Sequence, residues 1–313
     1  MKILVLGDVM LDWDNFAEVS RISPEAPVLV ADVKREIFRL GGAANVAKNL
    51  KILGCNVTIC GVLGTDYFAE KLQEQIEEEK IENFLLYDFS RKTTVKQRFL
   101  NDNNVHLFRG DREDRLPISK KCQEDIINYI YDFRNNWDGI VIADYNKGFI
   151  DSYLTNTLNE MDIPIFADLK PPNMCLFKDL EVVTPNQQEA SEYFKIQNDH
   201  QQIDDIEEIG IFLQNIARIV LITLGKDGLY LMHRGDQKGC IIPSQVNTNG
   251  YNVVDTCGCG DVVTAVYTYA TLEGLTPLEA ATVANYAAGL TLKDVGVSCI
   301  NRDEYLAIKN EFV

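Results

Sequence analysis

Short apolar runs rich in β-branched residues alternate with helical patterns along most of this chain, and that alternation restricts its fold more than any other feature. Candidate strands are Ile3–Leu6, Val57–Val62, Gly139–Ala143, Ile163–Ala167, Glu181–Thr184 and Val220–Thr223. Between them Ala43, Ala47, Leu50 and Leu53, and again Cys122, Ile126, Ile130 and Phe133, keep the spacing of an amphipathic helix. Strands joined through helices run parallel, because each helix carries the chain back across the sheet. The expected fold is therefore α/β, with three layers and a mostly parallel central sheet. Gly or Asp marks the strand-to-helix turns, and Pro164 and Pro185 punctuate strand ends.

Two segments break the alternation. Val28–Val33, and Thr93–Phe99 followed by Val105–Arg109, read as short antiparallel strands, the last two joined by the turn-forming run Asn101-Asp102-Asn103-Asn104. They predict a small separate sheet, a lid formed by about residues 13–36 and 88–110 over the C-terminal edge of the main sheet. The whole of residues 1–313 is expected to form a single domain with this lid.

Composition narrows the partners. With 46% hydrophobic residues and no apolar run near the roughly 20 residues that span a bilayer, no membrane partner is expected. The run Lys2–Leu6 is cut short by Gly7-Asp8, too early for a secretory segment, and reads as a buried strand. Eight cysteines lack any Cys-x-x-Cys pair, which argues against zinc and disulfides and for a reducing cytoplasm. The net charge of −17, with acid concentrated at 74–82 and 204–208, argues against nucleic-acid binding. An anionic substrate must then be drawn in by local donors.

The run Val254-Asp255-Thr256-Cys257-Gly258-Cys259-Gly260-Asp261 opens into a helical pattern carried by Val262, Val263, Ala265, Val266 and Tyr269. Glycines at a helix start let backbone N–H groups converge on an anion, and the dipole favours negative charge there. A carboxylate in the same turn can take a proton from an attacking hydroxyl, the arrangement of phosphoryl transfer.

Other constellations admit two readings each. Gly41-Gly42-Ala43-Ala44-Asn45 opens the first strong helix, either for close ligand approach or as a tight turn. Asp8 and Asp12 follow the first strand, at the edge where parallel sheets bind ligands, and suit sugar hydroxyls or loop capping. Asn186 and Glu189, in Thr184-Pro185-Asn186-Gln187-Gln188-Glu189, share a helical face and suit water-mediated Mg²⁺ or a capping box, the pattern favouring the cap. Thr223-Leu224-Gly225-Lys226-Asp227-Gly228 is first a hairpin connection whose glycines could line phosphates. The small-residue run Ala284–Gly289 reads as helix packing. P-loop, dinucleotide and nucleophile-elbow fingerprints are missing, and His106, His200 and His233 lack metal-ligand spacing.

In this order, these segments resemble the ribokinase-like (PfkB) carbohydrate kinases over essentially the whole chain. Gly41–Asn45 resembles that family's first signature, and Asp255–Asp261 its second. Further runs are similar to the family's heptose 7-phosphate kinases: Gly7–Asp12, Ser20–Val28, Lys96-Gln97-Arg98-Phe99, Asp144-Tyr145-Asn146-Lys147-Gly148 and Thr184-Pro185-Asn186. The resemblance implies transfer of the ATP γ-phosphate to the anomeric hydroxyl of D-glycero-β-D-manno-heptose 7-phosphate, towards ADP-heptose and lipopolysaccharide. Bifunctional relatives carry a following nucleotidyltransferase domain, whose activity is expected from another protein here.

By the same resemblance Asp261 is the general base, with Gly258, Cys259 and Gly260 as the anion hole. Asn186, Glu189 and Lys170 are expected at Mg²⁺ and the phosphates, Glu189 reaching the metal through water. Thr223, Gly225, Gly228 and Asn285 are expected around the nucleotide. Asp12, Gly41, Gly42 and Asn45 are expected on the sugar, with Arg21 and Arg98 on its 7-phosphate, since an Arg fork pairs bidentately with phosphate. ATP and Mg²⁺ are the implied cofactors, and a monovalent cation such as K⁺ is admitted. A homodimer through the lid is implied, in which Arg21 serves a neighbour's site. Cys259 stands for the usual alanine, Val262 for Thr or Ser, and Asp168-Leu169-Lys170-Pro171 for Asp-Pro-Lys-Gly. A kinase of another sugar, or a weakly catalytic sugar-phosphate sensor, are the alternatives.

Overall fold

The computed structural model describes residues 1–313 apart from 102, 202, 245–255, 294, 295 and 297. The strands are β1 (Lys2–Gly7), β2 (Val9–Ile22), β3 (Leu29–Gly42), β4 (Asn56–Leu63), β5 (Glu82–Tyr87), β6 (Thr94–Leu100) and β7 (His106–Arg112). They continue with β8 (Gly139–Ala143), β9 (Ile165–Asp168), β10 (Leu180–Val183), β11 (Ala217–Thr223), β12 (Leu229–His233) and β13 (Cys240–Ile242). The helices are α1 (Ala43–Ile52), α2 (Tyr67–Glu78), α3 (Lys120–Asp132), α4 (Ser152–Asn159) and α5 (Pro171–Met174). They end with α6 (Gln187–Gln197), α7 (Ile206–Leu213), α8 (Cys259–Leu272), α9 (Pro277–Thr291) and α10 (Arg302–Phe312).

The main sheet has the order β13-β12-β11-β10-β9-β8-β1-β4-β5, and every pair from β11 to β5 is parallel. Alternation along a strand sends successive side chains to opposite faces. In β1 this puts Ile3 and Val5 into one core with α1, α2, α8, α9 and α10, and Leu4 and Leu6 into another with α3, α4, α6 and α7. Both faces are thus buried, which is why these strands read as continuous apolar runs. The strand order reverses between β1 and β8, and ligands bind such sheets at the carboxyl ends beside that reversal.

A second sheet, ordered β3-β2-β6-β7, stands outside the main one. Here the sequence reading needs correction. β2 was not legible as a strand, and it is as long as β3: fourteen residues, antiparallel to β3 and parallel to β6. Its inward face carries Asp12 and Asp14, both buried, and carboxylates at core positions disguise the alternation. β3 starts at Leu29 and runs to Gly42, so Gly41-Gly42 is a strand end feeding α1. The sheet therefore extends past the expected 13–36 and 88–110 segments, to Val9, Gly42 and Arg112. In the β6–β7 connection Asn101 accepts from the N–H groups of Asn103 and Val105, while Asp102 lies outside the described residues.

Candidate active site

Helix α8 begins where the glycine pattern places it. Gly258 is its N-cap in the left-handed region (φ 79°), a conformation that a side chain would strain. Cys259, Gly260 and Asp261 form the first turn, with the partial positive charge of the helix start at this point. Asp255 of the same motif lies outside the described residues.

Asp261 is only 5% exposed, and two donors hold it. The Asn45 amide donates to Oδ2 at 2.7 Å, and the Tyr145 hydroxyl donates to Oδ1. Burial raises its pKa, while those two donors and the Lys96 ammonium pull it down. The result is a carboxylate poised above its ordinary range, suited to accepting a proton.

Two cavities meet at this helix start. A charged one of ≈ 380 Å³ is walled by Asp12, Lys96 and Arg98 from the small sheet and by Tyr145, Lys170 and Asp261 from the main sheet's side. An apolar one of ≈ 330 Å³ lies between the β11–β12 turn (Gly225, Gly228) and the helical walls Val263, Asn285 and Leu292. Thr223, Thr256 and Gly260 line both, so the cavities communicate across the first turn of α8.

The charged cavity is organised by opposing charges. Arg98 reaches Asp12 at 3.2 Å and Asp14 at 3.5 Å, all three buried. Burial lowers the Lys96 pKa, with Asp12 and Asp261 opposing. Asp168 is pushed up to about 7 by burial, against the pull of Lys170. Burial also works against the charged form of Lys170, and Asp168 and Glu189 outweigh it, holding the ammonium protonated.

Several expected residues take positions the sequence did not foretell. Asn45 is wholly buried behind the cavity wall and holds Asp261 instead of lining the sugar space. Gly41 packs against the Asp12 carboxyl, which leaves Gly42 as the glycine of the pair on the cavity. Arg21, exposed near the end of β2, is nine residues from Asp12 (about 30 Å along a strand), so it does not reach its own chain's cavity. Asn186 and Glu189 do form the capping box of α6, yet both also line the charged cavity, and Glu189 binds Lys170. Asn285 donates to the Pro243 carbonyl at 2.9 Å while bordering the apolar cavity.

Sequence reasoning gave no role to Lys96, Arg109, Tyr145 and Asp168, all of which line the charged cavity. The signal for the first was present: Lys96 and Arg98 alternate on one face of β6. Tyr145 and Asp168 follow or end β8 and β9 at the carboxyl edge.

The fold is ribokinase-like. Phosphofructokinase-2 from Escherichia coli in complex with potassium superposes with a TM-score of 0.78 at 17% identity, covering 100% of this chain and 98% of that one. Ribokinase from Thermotoga maritima gives 0.74 at 18% identity, covering 98% and 99%. The family model for pfkB family carbohydrate kinases matches residues 1–303. The chain belongs to that family, whose members are phosphotransferases with a hydroxyl acceptor. Among relatives, the bifunctional protein HldE of Trichlorobacter lovleyi is 31% identical over 315 residues, 98% of this chain and 62% of that protein. HldE of Helicobacter pylori strain J99 is 32% identical, over 99% of this chain and 66% of that protein. The chain thus spans about two thirds of the length of the HldE proteins it matches. Among the described residues no helix is long and apolar enough to cross a membrane.

Proposed function

We propose that this chain transfers the γ-phosphate of ATP to the anomeric hydroxyl of D-glycero-β-D-manno-heptose 7-phosphate. The observation that carries the reading is the Asp261 carboxylate, set on the charged cavity in the first turn of α8, where Gly260 borders both that cavity and the apolar one. The apolar cavity suits a nucleotide base, and the charged one suits a phosphorylated sugar. Asp12 would accept from sugar hydroxyls, while Arg98, Lys96 and Arg109 would neutralise the phosphate already on the sugar. Asp261 would take the proton of the attacking hydroxyl. The amides at Gly258, Cys259 and Gly260 would stabilise charge on the migrating group, a contribution of about 3 kcal/mol per donor in comparable holes.

Mg²⁺ bound with ATP would neutralise phosphate charge. The donor set fits an indirect contact: Glu189 is committed to Asn186 and Lys170, and no cluster of three or more His, Cys, Asp or Glu able to hold a metal occurs among the described residues. Mg²⁺ keeps several waters and leans on phosphate oxygens, so Glu189 and Asn186 would order its water shell. Likeness to HldE proteins and the heptose-kinase motif runs favour the heptose; the cations alone would serve any sugar phosphate.

A second copy of the chain is the partner proposed for the small sheet. Ile22, Val28, Leu29 and Phe108 there are each more than half exposed, and covering them as a lid-to-lid dimer removes apolar surface from water. Such a pairing would bring Arg21 to the neighbour's charged cavity.

The test is ADP formation with ATP, Mg²⁺ and a panel of heptose 7-phosphate, hexose phosphates and unphosphorylated sugars. Preferred turnover of heptose 7-phosphate is expected. Preferred turnover of another sugar would reassign the substrate, and none with any would point to a sensor.

A further inference from the structure

Tyr145 occupies a position that the family signatures and the catalytic reading leave unexplained. Its place is fixed from both sides. The Asp8 carboxyl, at the end of β1, accepts from the N–H groups of Tyr145 (2.8 Å) and Lys147 (3.0 Å). Asp144 accepts from the N–H groups of Asn146 (2.7 Å) and Lys170 (3.0 Å) and from the Asn173 amide (2.9 Å). The segment after β8 is thereby fastened to β1 and to the segment after β9. From that mount the Tyr145 hydroxyl reaches Asp261 Oδ1. The ring meets the Lys96 ammonium at 4.8 Å and the Lys170 ammonium at 5.2 Å from its centroid.

We propose that Tyr145 is a positioning residue for the base: its hydroxyl and the Asn45 amide each take one oxygen of Asp261, fixing which lone pairs face the acceptor cavity. This rests on the kinase reading above only for its catalytic consequence; the clamp itself is a property of the free protein. A carboxylate tethered at one oxygen rotates about its last torsion, and one tethered at both does not. Precise placement is what makes a base effective, since a misplacement of an ångström can cost about a hundredfold in rate. Burial and the neighbouring Asp261 and Asp168 charges raise the phenol pKa far above neutrality, so Tyr145 keeps its own proton. The acceptor's proton goes to a free lone pair of Asp261, and no proton passes through Tyr145.

A donor hydrogen bond also favours the ionised carboxylate, so its loss must raise the Asp261 pKa. The charged and titratable groups that face Asp261 are Lys96 from β6, Asp12 from β2, Asp168 from β9, the Cys299 thiol before α10 and Tyr145 itself, with the neutral Asn45 from α1. Tyr145→Phe keeps the ring and all but one of these influences.

Two measurements test this in the intact chain. Infrared titration, taken as the difference between Tyr145→Phe and its Asp261→Asn counterpart, reads the carboxyl directly and needs no turnover. The carboxyl pKa is expected to rise relative to the unsubstituted protein, and an unchanged value overturns the proposal. In steady-state kinetics, Tyr145→Phe is expected to lower kcat by about tenfold or more, leave the ATP KM within about twofold, and move the acid limb of kcat/KM to higher pH. A lowered kcat with an unmoved acid limb would mean ordinary packing and would also overturn it. Replacing Tyr145 by 3-fluorotyrosine, a stronger donor of nearly the same size, should move both readouts the other way. Absence of turnover in the unsubstituted protein would sink the kinase reading alone, because the infrared result stands without it.

Discussion

The two cavities beside α8 are built on different principles. The apolar one is walled by Val263, Leu229, Leu292 and backbone at Gly225 and Gly228, with few charges. The charged one gathers Asp12, Asp168, Asp261, Lys96, Arg98 and Lys170 within a comparable volume. Shape and apolar contact suffice to hold a flat base, and they tolerate small changes. Buried opposing charges are intolerant, because removing one strands its partner in a low-dielectric site. The difference teaches that acceptor choice and proton transfer belong to the charged cavity, and that the small sheet supplies part of its wall, with Asp12, Lys96, Arg98 and Arg109.

The largest effect that could break this division is Asp261→Asn. It is expected to lower kcat by at least about a hundredfold, with ATP binding retained by calorimetry; a near-normal rate would remove the base from the charged cavity. Next is Arg98→Ala, which removes the ion-pair partner of Asp12 and leaves Asp14 paired with Arg39 alone. A loss of about 3 kcal/mol in denaturant unfolding is expected, with at least a tenfold rise in the acceptor KM (about 1.4 kcal/mol) and little change for ATP. Equal rises in both KM values would contradict the division.

Gly228→Ala probes the other side. Gly228 has φ 103°, and a Cβ there would meet the Ile242 carbonyl oxygen at 2.0 Å. The β11–β12 turn must shift, at about 1–3 kcal/mol, so the ATP KM should rise while the acceptor KM stays. The smallest effect is expected from Arg21→Ala: about a twofold rise in the acceptor KM, as for an exposed ionic contact, and only at protein concentrations where sedimentation shows dimers. The same rise in the monomer would place Arg21 in its own chain's site.

The parallel sheet was legible because strands buried on both faces, such as β1, β8 and β11, are uninterrupted apolar runs. The helix starts at Gly42 and Gly258 were legible from their glycines. The small sheet was legible only in part, since Asp12 and Asp14 sit where an apolar residue is expected and are neutralised by Arg98 and Arg39, 86 and 25 residues away in the chain. Asn45 was legible as a site residue but not in its role, because a donor to a carboxylate and a donor to a sugar are the same amide in a sequence.

The sequence by itself determined the three-layer α/β class, the glycine-opened helix with its carboxylate, and the set of candidate residues, because periodicity and backbone tolerance are local properties. Only the tertiary structure decided which of them meet. It brought Asn45, Tyr145 and Asp261 together from three distant segments, turned Lys96 inward, and left Arg21 outside. Contacts between residues a hundred or more positions apart depend on strand order and register, and those are settled by the packing of the whole chain.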